Sequence, residues 1–338
     1  MNNRLLLLLT LGVFLLSSCS LSPPPPKGPV KKSIILMDTL VEIAAYGPRD
    51  KTEKAVKEAI EEMKRLDALF DRHKEKSFAK LFDKGAGKEP LQSPPEFIQL
   101  LEATDKLVKA TNGAFDPTVA PLLDSYRFDV EKPYIPSDNE VNTHLTKRGW
   151  QKVHFDGKQK KARLTEAGMA IDLGGVAKGY IVDFTLKRLK ENGVEAALVN
   201  AGGDLSTFGL KFGTDQFRIG IQDPDNPKAI RGILKLSDCA VATSGDYERY
   251  VVVEGKRWHH LLSPATGRPA RLSRSATVIT SSALVADALA TAVFVLGPRQ
   301  GIALAEKLKH VDASVIAPNG EVTYTSGFAQ WLEGESEQ

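Results

Sequence analysis

Only two cysteines occur in 338 residues, which leaves almost nothing to cross-link. Cys19 closes an apolar leader, so Cys239 has no partner and an intrachain disulfide is excluded. The fold must therefore rest on an ordinary hydrophobic core, for which about 300 residues are ample. Net charge is scarce as well, at +3. No basic stripe interleaved with aromatics is present, so a nucleic-acid partner is not expected. The apolar run Leu5 to Leu16 is shorter than the roughly 20 residues that a bilayer-spanning helix needs. No repeat of fixed period appears.

What is present begins with an address. Arg4, the apolar run, the small pair Ser17-Ser18 and then Cys19 have the layout of a secretory signal over residues 1–18. Leu16-Ser17-Ser18-Cys19 resembles the bacterial lipobox, which implies acylation of Cys19, with a plain signal peptide as the alternative. Two acyl chains would hold the protein stably to a membrane, since each buried methylene contributes about 0.8 kcal/mol. The protein is thus expected to be exported and lipid-anchored, facing the periplasm or the exterior. Residues 19–32, with Pro23 to Pro26, read as an extended tether. One folded domain is expected over 33–333, with a frayed tail at 334–338.

Within the domain, strands and helices alternate in an α+β pattern of mixed sheets and helices. Ser33 to Ala45 reads as one strand. Val56, Ile60, Met63, Leu66 and Phe70 recur at helical spacing and place a helix over 51–70. Further helices are expected over 95–111, 175–191, 283–296 and 301–308. Strands are expected over 196–200, 217–221, 232–236, 250–253, 258–262 and 276–280, and a closing hairpin over 314–316 and 322–324.

Four segments carry residues suited to chemistry. In the apolar run from Ala283 to Phe294, Asp287 and Thr291 are the only polar side chains and lie one helical turn apart on one face. A carboxylate there needs a salt bridge or a bound cation. Oxygen ligands favour magnesium or calcium over zinc. Second, Asp172-Leu173-Gly174-Gly175 opens a helix containing Lys178, an arrangement that brings backbone amides near phosphate, or else simply a tight turn. Its glycine spacing is neither that of a Walker loop nor that of a Rossmann fingerprint. A second glycine turn follows at Gly202-Gly203. Third, His259 and His260 stand at the end of a presumed strand, pointing to opposite sides, so one would face a cleft as a general base and the other the surface. Fourth, Ala114-Phe115-Asp116-Pro117 reads as an exposed corner able to stack on a ring, or as a helix stop and turn.

Taken in chain order, these segments resemble the ApbE family of flavin transferases, the FAD:protein FMN transferases, from about Met37 to Trp331. The resemblance rests on Met37-Asp38-Thr39, the segments from Gly113 to Val119 and Ile171 to Tyr180, Val199 to Asp204, Ala242 to Tyr247, His260 to Gly267, and Ala286 to Thr291. It implies that Asp287, Thr291 and the Gly175 carbonyl hold magnesium together with FAD phosphates. It implies an FAD site lined by Met37, His73, Ala114, Phe115, Asp116, Asp172, Lys178 and Leu262. His260 would be the base acting on a Thr or Ser hydroxyl of a partner protein, an acceptor subunit of a membrane redox complex, with AMP as the leaving group. Two positions depart from the family pattern. Asp38 replaces a glycine and brings charge towards the flavin, and Ser263 replaces an aspartate near the proposed base. These departures keep two alternatives in view: a magnesium-dependent FAD pyrophosphatase, and a flavin-binding lipoprotein without turnover.

Overall fold

The computed structural model describes residues 28–334. The leader, Cys19, the tether up to residue 27 and the tail after Gly334 lie outside the described residues. In chain order the elements are β1 (Val30–Leu36), β2 (Thr39–Tyr46), α1 (Arg49–Phe70), α2 (Phe78–Lys84), β3 (Leu91–Gln92), α3 (Pro95–Ala110), α4 (Ala120–Ser125) and α5 (Asp138–Leu145). Then come β4 (Val153–Asp156), β5 (Lys161–Leu164), α6 (Gly174–Glu191), β6 (Ala196–Ala201), β7 (Asp204–Phe208), β8 (Phe217–Gln222) and β9 (Ile230–Leu236). The chain closes with β10 (Ala240–Gly245), β11 (Tyr250–Val253), β12 (Lys256–His259), β13 (Ser275–Thr280), α7 (Ala283–Ala305), β14 (Asp312–Ile316) and β15 (Val322–Tyr324).

An antiparallel sheet of eight strands, in the order β1-β2-β6-β7-β10-β13-β14-β15, is the frame. Helices α1, α6 and α7 pack on one face, where Val199, Ala242, Val278 and Val315 meet Met63, Val182 and Phe294. The β8–β9 hairpin and Phe328 cover the other face and enclose Leu205, Leu234, Val241 and Ile279. Both faces are thus buried, so β7 and β13 are buried along their whole length rather than at alternate residues.

The expected α+β class holds, with four differences in detail. The strand expected over 33–45 is a hairpin, turned at Met37 and Asp38, both with positive φ (54° and 56°). Two left-handed residues in succession are what a tight hairpin turn needs. β1 also begins at Val30, inside the stretch expected to be tether. The strand expected over 258–262 ends at His259, because Leu262 turns away and bridges only to Pro269. The two helices expected after residue 283 run on as one element that breaks at Gly297 (φ 76°), ahead of Pro298. α7 is long and apolar enough to cross a membrane by composition, yet Leu284, Leu289, Val293 and Phe294 are buried in the core.

Phe97 is fully buried and meets Phe78 and Phe82 edge-on, with centroids 4.8 and 5.1 Å away. Phe97→Ala is expected to lower stability by about 3–5 kcal/mol, read as a lower urea midpoint. A midpoint equal to wild type would place Phe97 outside the core.

Candidate active site

α6 and α7 touch backbone to backbone. A Cβ on Gly179 would stand 2.3 Å from the Ala283 carbonyl oxygen and 2.6 Å from Leu284 Cα, so only glycine fits this approach. The closeness lets the Gly179 N–H reach Asp287 Oδ2 at 3.3 Å. In a regular helix that N–H would be aimed at the Gly175 carbonyl. Asp183, one turn further along α6, fixes the register. Its carboxylate accepts from Ser282 Oγ (2.6 Å), Ala283 N (2.8 Å) and Leu284 N (3.1 Å), and so caps the start of α7. Burial pushes the Asp183 pKa up, and these three donors pull it back.

The buried Asp287 carboxylate is not neutralised by a simple pair. Lys178 Nζ lies 3.6 Å from it, but only 2.5 Å from Asp204 Oδ2 and 3.3 Å from the Gly174 carbonyl. Two buried acids therefore share one ammonium. Burial and then the Asp204 charge raise the Asp287 pKa, with Lys178 opposing. Burial would depress Lys178, but the two carboxylates outweigh it and the net shift is upward. Asp204 Oδ2 has no hydrogen bond beyond this ion-pair contact. Thr291 Oγ1 sits 3.3 Å from Ser244 Oγ, and a Cβ on Gly175 would stand 3.6 Å from Thr291 Oγ1. The donor set is all oxygen and carries an excess of acid, which suits a hard divalent cation. Among the described residues no three His, Cys, Asp or Glu side chains cluster as a metal site. A cation here would need hydroxyl, backbone or substrate oxygens beside the carboxylate.

These groups form one end of a cavity of about 440 Å³. Its lining brings together every expected residue: Met37, His73, Ala114, Phe115, Asp116, Asp172, Gly175, Lys178, His260, Leu262, Asp287 and Thr291. Two expectations change. The 114–117 corner is not exposed: Phe115 and Asp116 are buried, Phe115 lies against the Gly175 turn, and Asp116 Oδ1 accepts from Thr118 N and Oγ1 (3.0 and 2.6 Å). His260 faces the cavity, half-buried, but His259 is not on the surface. His259 is buried, edge-on to Phe294 (5.6 Å), with Nε2 2.8 Å from the Ala270 carbonyl and Nδ1 unpartnered.

His260 Nδ1 lies 3.2 Å from the Arg249 carbonyl. A carbonyl only accepts, so this bond puts the ring proton on Nδ1 and leaves the lone pair on Nε2. Burial pushes the His260 pKa down to about 4, against the carbonyl bond, so the ring is neutral at pH 7. The backbone thus orients the ring, which Ser263 could not do by charge; Ser263 serves instead in a turn, accepting at its carbonyl from Gly267 N (2.8 Å). The ribbon β11–β12 that leads to His260 is clasped to the main sheet by Asp246, which pairs with Arg257 (2.8 Å) and Arg274 (3.0 Å). Sequence reasoning missed Asp183, Asp204 and Asp246 as parts of the site. Asp204 and Asp246 stood inside quoted motifs, but nothing local shows what they face.

Residues 37–315 match the sequence pattern of the ApbE family. The chain belongs to that family. An ApbE protein of Thermotoga maritima has the same fold, with a TM-score of 0.84 and 33% identity over 90% of this chain and 99% of that one. The flavinyl transferase ApbE of Pseudomonas stutzeri gives a TM-score of 0.78 at 28% identity, covering 90% and 96%. A curated relative in Treponema pallidum, named FAD:protein FMN transferase, is 28% identical over 310 residues, 87% of this chain and 86% of its own. The family match begins at Met37, the first residue of the β1–β2 turn that lines the cavity.

Two outcomes follow from this geometry. Gly179→Ala is expected to cost about 1–3 kcal/mol through overpacking of backbone against backbone, measured by denaturant unfolding; full retention would mean the helices part freely. Burial also holds His259 neutral, down to about pH 4, as it does His260. Between pH about 6.5 and about 4 the unfolded chain takes up protons that the native chain refuses, so stability falls as pH drops through that window. His259→Gln should flatten the slope, and an unchanged slope would show that His259 does not contribute.

Proposed function

We propose that this ApbE chain transfers the FMN half of FAD to a Thr or Ser hydroxyl of a partner protein and releases AMP. The observation that carries this reading is the meeting, in one cavity, of an oxygen-rich acidic end at Asp287, Thr291 and Gly175 with a neutral imidazole at His260. The names of the relatives support it from outside the chain.

Asp287 and Thr291, with the Gly175 carbonyl, are the residues that would hold magnesium, whose role is to neutralise charge on both phosphates of the dinucleotide. Lys178, now turned to Asp204 and Asp287, stands where its ammonium can move to a phosphate oxygen. His260 Nε2 takes the proton of the acceptor hydroxyl as the hydroxyl oxygen bonds to the FMN phosphorus. The bridging P–O bond breaks, its electron pair leaves with AMP, and the new phosphoester joins FMN to the partner. Asp38 lies exposed on the hairpin turn at the cavity edge, where its left-handed φ suits Asp next after Gly and Asn.

Export, with acylation of Cys19, is part of the proposal and rests on the leader sequence alone. It would place the enzyme beside membrane redox proteins as acceptors.

Full-length protein incubated with FAD, magnesium and a candidate acceptor should add the mass of FMN to that acceptor. Both Asp287→Asn and His260→Ala should lower the rate at least about 100-fold, the scale of a lost general base, and EDTA should abolish transfer. Equal addition by wild type and His260→Ala would remove His260 as the base. Release of free FMN without an acceptor would make water the acceptor and the chain a pyrophosphatase. The His260 ring itself, followed by NMR, should titrate near pH 4; a midpoint near 6.5 would contradict the buried-imidazole reading.

A further inference from the structure

The β1–β2 hairpin touches two hollows at its two ends. Met37 and Asp38 at its turn line the active cavity. Gly28 and Tyr46, at the other end, line a separate hollow of about 510 Å³ together with Gly47, Glu195, Leu210 and Phe212. The chain enters the fold at this second hollow.

The loop that forms its rim is unusual for a surface in water. Phe212 is 62% exposed and Leu210 38%. Phe212 also holds a positive φ of 52°, a conformation uncommon for a bulky side chain and easily met by glycine or asparagine. The loop is firmly built: Lys211 and Asp215 exchange backbone hydrogen bonds (2.7 and 3.0 Å), and Gly213 N donates to the Leu210 carbonyl (3.0 Å). Tyr46 supports the Phe212 ring edge-on at 5.1 Å. A rigid tip thus presents a phenyl ring outward at a backbone cost, in a place where nothing in the fold uses it. Val130 and Ile35 are more exposed, at 86% and 76%, but neither lines the hollow at the chain entry.

We propose that this tip rests on the lipid bilayer, with Phe212 and Leu210 seated in its interfacial layer, so that the domain docks on the membrane rather than swinging on its tether. The proposal rests on the reading of Cys19 as the lipid anchor. The stretch from Cys19 to Gly28 spans at most about 30 Å when extended, so the Gly28 end of the domain is the end held near the lipid. β1 then runs away from the bilayer for about 23 Å, which sets the active cavity at that height and facing targets that project from the same membrane. Acceptor residues near that height are reached and those flush with the lipid are not.

The test uses the full-length acylated protein in phosphatidylcholine and phosphatidylglycerol vesicles containing brominated lipid. Phe212→Trp is compared with Val130→Trp over the wild-type background of three tryptophans. The added emission of Phe212→Trp should shift to the blue and be quenched several-fold more than that of Val130→Trp. Equal quenching in the two variants, in protein that floats with the vesicles, overturns the docking face and leaves the anchor standing. Wild-type protein that fails to float overturns the anchor and this face together. In neither case is FMN transfer in solution affected, so the activity assay judges the enzymatic reading separately.

Discussion

Asp287 is buried on a helix whose other buried side chains are apolar, and a charge so placed costs several kcal/mol unless its surroundings compensate. Much of the site follows from meeting that cost. Gly179 removes a side chain so that a backbone N–H can approach the carboxylate. Asp183 fixes the turn of α7 that presents it. Lys178 supplies a cation, but divides it with Asp204, so the compensation is incomplete. A protein seeking only stability would match one acid with one base. Two acids around one ammonium leave an excess of negative charge, and it is on this excess that the proposal of a divalent ion rests.

The other end of the cavity is arranged by different physics. His260 needs no carboxylate to orient it, because the Arg249 carbonyl fixes the tautomer and burial removes the proton. The ring is thus oriented without a charge at Ser263. A ring so held is neutral at pH 7, which is the state that the proposed role as base requires.

Much of this was legible in the sequence, and the limits have physical reasons. The Asp287–Thr291 pair showed itself because polar residues are conspicuous in an apolar helix. The glycine turn and the histidine pair were visible as types, while their convergence needed the fold. Strand β7 escaped notice because Asp204, Ser206 and Thr207 give it a polar composition although it is buried along its length. Helix α5 was missed although Ser137 and Glu140 form a capping box ahead of it, a signal that could have found it. The turn at Met37-Asp38 was hidden because it holds neither Gly nor Pro, and a lone Asp after Met interrupts the strand pattern only weakly. Asp183 went unread and Asp246 stood in a quoted segment without a role, since partners such as Ser282 and Arg274 lie 99 and 28 positions away.

The two walls of the cavity are also fastened by different means. The Asp287 end is set by close-packed helices, whereas the ribbon leading to His260 hangs on a clasp of Asp246 with Arg257 and Arg274, whose guanidinium groups are partly open to solvent. Dissolved ions screen partly exposed pairs, a weakening that backbone-to-backbone contact does not share. Rising salt should therefore loosen the hold on the ribbon before it parts α6 from α7, so the two walls answer unequally to the medium around the protein.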